Sequence, residues 1–178
     1  MKSKLLRLAF AALLALGVAG CQKVDPLQIK VSADSAELLN AWRIRVGSDL
    51  SPDEWKAFDE ALQEIKLQVM AGKEATGSAA IDEAAREKIK DGTVCDVLRA
   101  GWEAKLSRLG GERAGLLAAI EQNSRLTTRA GDNESKNYID RIRQRQNEHL
   151  QNLVRDIAST EQRLKALPKP AAPASKTP

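Results

Sequence analysis

The side chains in this 178-residue sequence from which chemistry could be built are few: two cysteines, one histidine, three tryptophans and a short oxygen-rich turn. His149 has no ligand or catalytic companion at useful spacing; the chain contains no HxxxH, HExxH or Cys/His cluster. It reads as a helix-surface or interface residue. Asp132, Asn133 and Glu134 offer oxygen atoms but lack the spacing of a calcium loop, and turn and capping roles suffice for them. Arg141, Arg143 and Arg145 form a local basic cluster. On a helix, steps of two point to opposite sides, so Arg141 and Arg145 share a face that Arg143 does not. No phosphate loop, nucleophile elbow or dinucleotide fingerprint is present, so nothing in the sequence argues for an enzyme, a metal or a bound cofactor.

The two cysteines differ in setting. Cys21 closes the stretch Leu16-Gly17-Val18-Ala19-Gly20-Cys21, preceded by an uncharged run from Leu8 and a start bearing Lys2, Lys4 and Arg7. The run is far shorter than the roughly 20 residues of a membrane-spanning helix. Basic start, short apolar middle and small residues before a cut form the signal-peptide pattern. Val18-Ala19-Gly20-Cys21 resembles a bacterial lipobox. That resemblance implies removal of residues 1–20 and attachment of diacylglycerol and an N-acyl chain, such as palmitate, to Cys21. One acyl chain holds a protein only marginally, whereas two or three hold it stably. In such lipoproteins an aspartate after the cysteine commonly retains the protein in the inner membrane. Gln22 instead implies the outer membrane, with the body on the periplasmic face of the cell envelope. Once Cys21 is acylated no disulfide can form within the chain. Cys95 is then expected as a small buried helix residue, with a bridge to another chain as the alternative.

Charge follows from the same cut. The full chain carries 28 basic and 24 acidic residues, and three of the bases precede Cys21. The remainder is therefore close to neutral, which gives no electrostatic reason to expect nucleic-acid binding. Alanine, leucine, glutamate, lysine, arginine and glutamine are abundant and aromatics make up 3% of the chain, a helix-forming composition.

The elements follow from caps and apolar spacing. Residues 21–34 read as the lipidated cysteine and a tether, in which Leu27, Ile29 and Val31 alternate with polar residues as extended chain against the helical body. Asp34 or Ser35 can cap a first helix reaching about Val46, with Leu38, Leu39, Trp42 and Val46 on one face. Ser51-Pro52-Asp53-Glu54 is a capping box with proline in the first turn. Trp55, Phe58, Leu62, Ile65 and Val69 behind it make a core-facing stripe. A loop over 71–80 precedes a short helix to about Lys90, with Ile81, Ala85 and Ile89 inward. Thr93 and Asp96 form a second box, opening a stripe through Val94, Val97, Leu98, Trp102, Leu106 and Leu109. Gly110-Gly111 predicts a kink, or a break and restart at Glu112, since two helical glycines cost roughly 2 kcal/mol. Apolar spacing then continues to about Ala130. A last helix over about 134–167 carries Ile139, Ile142, Gln146, Leu150, Leu153, Ile157, Leu164 and Leu167 at near-heptad intervals. Residues 168–178, rich in proline, alanine and lysine, have nothing to bury and read as a disordered tail.

Ser51-Pro52-Asp53-Glu54-Trp55-Lys56-Ala57-Phe58-Asp59-Glu60-Ala61-Leu62, followed by Asp91-Gly92-Thr93-Val94-Cys95-Asp96-Val97-Leu98, resembles a family of small uncharacterised bacterial lipoproteins. The resemblance covers about residues 1–105. That family pairs a capped helix bearing Phe-x-x-Ala-Leu with a Gly-Lys-Thr-like cap; here the lysine between Gly92 and Thr93 is missing. It implies a helical fold and supplies no site residues.

The expected architecture is all-α: a small helical body over about 35–109 and a long antiparallel, coiled-coil-like hairpin over about 94–167. The expected role is a membrane-anchored, non-enzymatic scaffold that engages a protein partner or a second copy through the hairpin. The alternative is a lipid- or glycan-binding module using Trp42, Trp55 or Trp102 in a cleft.

Overall fold

The structure, a computed structural model, describes residues 25–169. The expected signal peptide over 1–20, Cys21, Gln22 and the tail from 170 onward lie outside the described residues. The described chain is all-α: α1 (Ala36–Arg45), α2 (Pro52–Ala71), α3 (Ser78–Ile89), α4 (Val94–Ser124) and α5 (Asn133–Ala166), preceded by a 3-10 turn at Pro26–Gln28. Among the described residues no helix is long and apolar enough to cross a membrane.

Both capping boxes form. The Ser51 hydroxyl accepts from the Glu54 amide at 3.3 Å while Glu54 accepts from the Ser51 amide at 2.7 Å. Thr93 and Asp96 make the same reciprocal pair at 3.2 and 2.8 Å. Each box satisfies two amides that a helix start otherwise leaves open. Of the two candidate caps for α1, Ser35 is the one used, accepting from the Leu38 amide at 3.2 Å. Leu38 departs from expectation: it is 49% exposed, while Leu39, Trp42 and Val46 are buried. A ten-residue helix touching the body along one narrow line buries only that line.

The body is built around α2. Phe58, Ala61 and Ile65 are buried on it, against Val94, Val97, Leu98 and Trp102 of α4 and Ala85 and Ile89 of α3, and Val69 is buried a turn further on. Trp42 closes the cluster from α1, its ring centroid 5.4 Å from Phe58 and 5.7 Å from Trp55. Its indole N–H donates to the Lys30 carbonyl at 2.7 Å, so the one polar atom of a fully buried ring is satisfied. The segment before α1 is integral to this core. The Val31 amide donates to the Gly92 carbonyl at 2.8 Å, and the Val94 amide to the Ile29 carbonyl at 3.0 Å. An isolated antiparallel bridge joins Lys30 to Thr93, and Val31 and Ala33 are buried.

The glycine pair does not interrupt α4. The helix passes through Gly110 and Gly111 without a break and stops earlier than the apolar spacing suggests, at Ser124. Residues 125–132 form the connection to α5. Thr127 and Thr128 favour its non-helical backbone, and Gly131 supplies a left-handed turn at φ 88°. The Arg143 guanidinium donates to the carbonyls of Asn123, Ser124 and Leu126 at 3.3–3.5 Å, capping the open end of α4. At the opposite end Arg163 lies 5.3 Å over the Trp102 ring and pairs with Glu60 of α2 at 3.1 Å. The two long helices therefore run side by side in opposite directions. Leu153 and Thr160 are the buried residues of α5, and Thr160 fills the step that the apolar spacing leaves between Ile157 and Leu164.

Candidate functional site

Cys21, the expected lipidation site, lies outside the described residues. Each of the remaining chemistry-bearing side chains can be placed. His149 is exposed on α5. Asp132 caps α5, its carboxylate accepting from the Ser135 amide at 3.0 Å; that backbone hydrogen bond holds its pKa below the ordinary carboxylate value. Arg143 turns inward to cap α4, and Arg141 donates to its own helix at Asn137, so the three arginines do not converge on one ligand position. Cys95 is buried at the start of α4, its sulfur 3.9 Å from the Pro168 carbonyl. Arg99 donates to the same carbonyl, so Pro168, read as the first tail residue, is tied to the body. Among the described residues no group of three or more His, Cys, Asp or Glu side chains is arranged to hold a metal.

Trp42 and Trp102 are 1% and 2% exposed; Trp102 borders a shallow concavity beside Leu98 and Leu167, where Arg163 and Lys105 lie over its ring. Trp55 is partly buried, with its ring edge-on to Trp42 and Phe58 and Arg43 stacked 5.2 Å above it. The aromatic cluster is core rather than cleft.

One concavity among the described residues is one that the sequence did not suggest. A groove of about 520 Å³ runs between the end of α2 and the middle of α4. Leu67, Gln68 and Ala71 line one side, Ala104, Ser107 and Gly111 the other, with Glu64 and Arg108 beside them. Glu64 is 9% exposed, and Arg108 grips it with two parallel bonds, Nε to Oε2 at 2.9 Å and Nη2 to Oε1 at 2.6 Å. This fork geometry is the strong form of an arginine–carboxylate contact. The bond to Glu64 raises the Arg108 pKa further, and Glu112 adds a weaker contact at 3.5 Å. Both carboxylate oxygens are engaged, and the pair clamps α2 to α4.

Two signals could have revealed the clamp. Glu64 falls three residues after Ala61, at the edge of the buried stripe of α2. Gly101, Ala104, Arg108 and Gly111 recur at three and four on α4. What the sequence lacked was the pairing of these two faces, which are 44 residues apart. No family model, curated protein or solved structure matches the chain.

Proposed function

We propose that this protein is a bacterial lipoprotein, acylated at Cys21 and held on the periplasmic face of the outer membrane, and that it works as a non-enzymatic scaffold through a helical hairpin formed by α4 and α5. The anchor is supported by the lipobox-like Val18-Ala19-Gly20-Cys21 behind a short apolar run. The docking role is carried by one observation: the distal part of the hairpin is only two helices thick. Beyond Leu109, α4 has no buried residue, and Leu117, Leu126 and Tyr138 are exposed. Apolar side chains left outside a two-helix layer are the means by which such a surface engages a protein partner or a second copy. Palmitate labelling in cells, wild type against Cys21→Ala, tests the anchor; loss of label in the variant is expected, and an unlabelled wild type overturns it. Crosslinking from Leu117 or Tyr138 in intact cells tests the docking role, with no discrete adduct as the refuting result.

A second role, lipid binding, is favoured by the apolar groove between α2 and α4. A fluorescent fatty acid that binds the chain and is displaced by Ala104→Trp would support it.

A further inference from the structure

We infer that the end of the body where Asp25, Thr93 and Lys169 lie is the face that meets the lipid surface, and that the tip of the α4–α5 pair stands away from it. This rests on the acylation of Cys21 proposed above. Three residues, hence four Cα–Cα steps, separate Cys21 from Asp25, and four steps span at most about 14 Å fully extended. From Asp25 onward the chain is fixed. The Asp25 carboxylate accepts from the Leu27 amide at 3.0 Å, the Lys30–Thr93 bridge follows, and Val31 is buried. An acylated cysteine therefore has no long leash, and holds this end within about 14 Å of the headgroups.

α4 starts at that same end, at the Ile29 carbonyl, and runs 31 residues, about 46 Å, to Ser124. α5 returns to it, bringing Pro168 to Arg99 and Cys95. The connection over 125–132 is thus the point of the described chain most remote from the anchor. A molecule lying flat would need an outward apolar stripe along the pair, flanked by bases. The two large apolar residues exposed on α5, Tyr138 and Val154, are 16 positions apart, which at 100° per residue sets them about 160° from each other around the helix. They form no stripe along α5, and the other exposed large apolar residues of the pair, Leu117 and Leu126, lie toward its tip rather than along its length. The residues assigned to the end near the bilayer carry both signs, Lys30 and Lys169 as well as Asp25 and Asp91. Acyl chains rather than charge would hold it there, and high salt would not release it.

The wild-type acylated protein, reconstituted in vesicles of phosphatidylethanolamine and phosphatidylglycerol carrying a headgroup photocrosslinker, tests the orientation. Adducts are expected within residues 25–30, 91–93 and 167–169, and at least about tenfold fewer within 117–145, given the 46 Å rise. Comparable labelling at the tip overturns the inference. A flexible Gly/Ser insert of about 20 residues after Val24 should lower the adducts at 25–30 several-fold by lengthening the leash; no decrease also overturns it. The mass of the amino-terminal peptide separates the two questions, because a chain without acyl groups on Cys21 refutes the proposed function instead.

Discussion

Gly101→Ala tests how tightly α2 and α4 are joined. A Cβ at Gly101 would sit 2.4 Å from both Cα and Cβ of Ala61 and 2.6 Å from its carbonyl oxygen, where ordinary contact begins at 3.4 Å. The seam must therefore open by about 1 Å, and two of the three opposing atoms are backbone, so no rotamer change relieves the clash. Opening it loosens Phe58 and Ile65 against Val97 and Leu98 and stretches the Glu64–Arg108 clamp. Overpacking costs about 1–3 kcal/mol, and the rigid neighbours place this case near 3. Alanine in place of a helical glycine returns about 1 kcal/mol. The net loss is about 2 kcal/mol, a fall in Tm of roughly 4–8 °C for a chain of this size. Gly110→Ala and Gly111→Ala are the controls: nothing lies within 4 Å of either Cβ position, so each should gain up to about 1 kcal/mol. Thermal and urea unfolding of the chain from Gln22 onward, followed by circular dichroism, gives all three values. A Gly101→Ala midpoint at or above wild type, or an equal fall at Gly110→Ala, would refute the reasoning.

Three further outcomes are expected. Trp42→Phe removes the donor to the Lys30 carbonyl and should cost about 1–3 kcal/mol, with faster amide exchange at Val31 as its local signature. Glu64→Gln leaves Arg108 without its anion; because the Arg108 side chain is 41% exposed and water can replace the partner, the cost should be about 1–2 kcal/mol, and it should shrink when Arg108→Met is already present. Asp132 has its pKa depressed by the Ser135 amide, so its stabilising effect is complete above the unfolded value near pH 4 and is lost as pH falls through the lower folded value. Asp132→Asn keeps a capping oxygen that does not titrate, and the acid limb of the stability profile, measured by circular dichroism, should flatten.

What could be read from the sequence was local. Ser51 with Glu54 and Thr93 with Asp96 marked two helix starts to the residue, because a capping box is closed within four positions and needs nothing distant. The α5 spacing from Ile139 to Leu167 likewise identified the side turned inward; every named position is partly or fully buried. The alternation of Leu27, Ile29 and Val31 signalled extended chain, which holds at Ile29 and Val31 but not at Leu27, inside the 3-10 turn Pro26–Gln28; the hydrogen-bond partners lay at Gly92 and Val94, hidden beside a helix cap.

The misreadings share a cause. The penalty for Gly110-Gly111 is that of an isolated helix, whereas α4 is flanked by packed turns on one side of the pair, Leu109 and Trp102 among them, and by α5 alongside. Tertiary contact on neighbouring turns outweighs about 2 kcal/mol of propensity and carries the helix through. The same dependence on a distant partner governs Gly101 and Glu64. Read along its own helix, Gly101 is a small residue in an apolar stripe, and Glu64 is an acid at the edge of one. Against each other's helices they become the closest approach and the charged clamp of a single seam, with Ala61 and Arg108 as the complementary halves. At that seam the tolerance for an added methyl switches from none at Gly101 to complete at Gly110 and Gly111, within about 15 Å of one helix. Packing by the neighbouring helix, not residue type, sets that difference, so a glycine series along α4 maps where close contact with α2 gives way to the open groove between them.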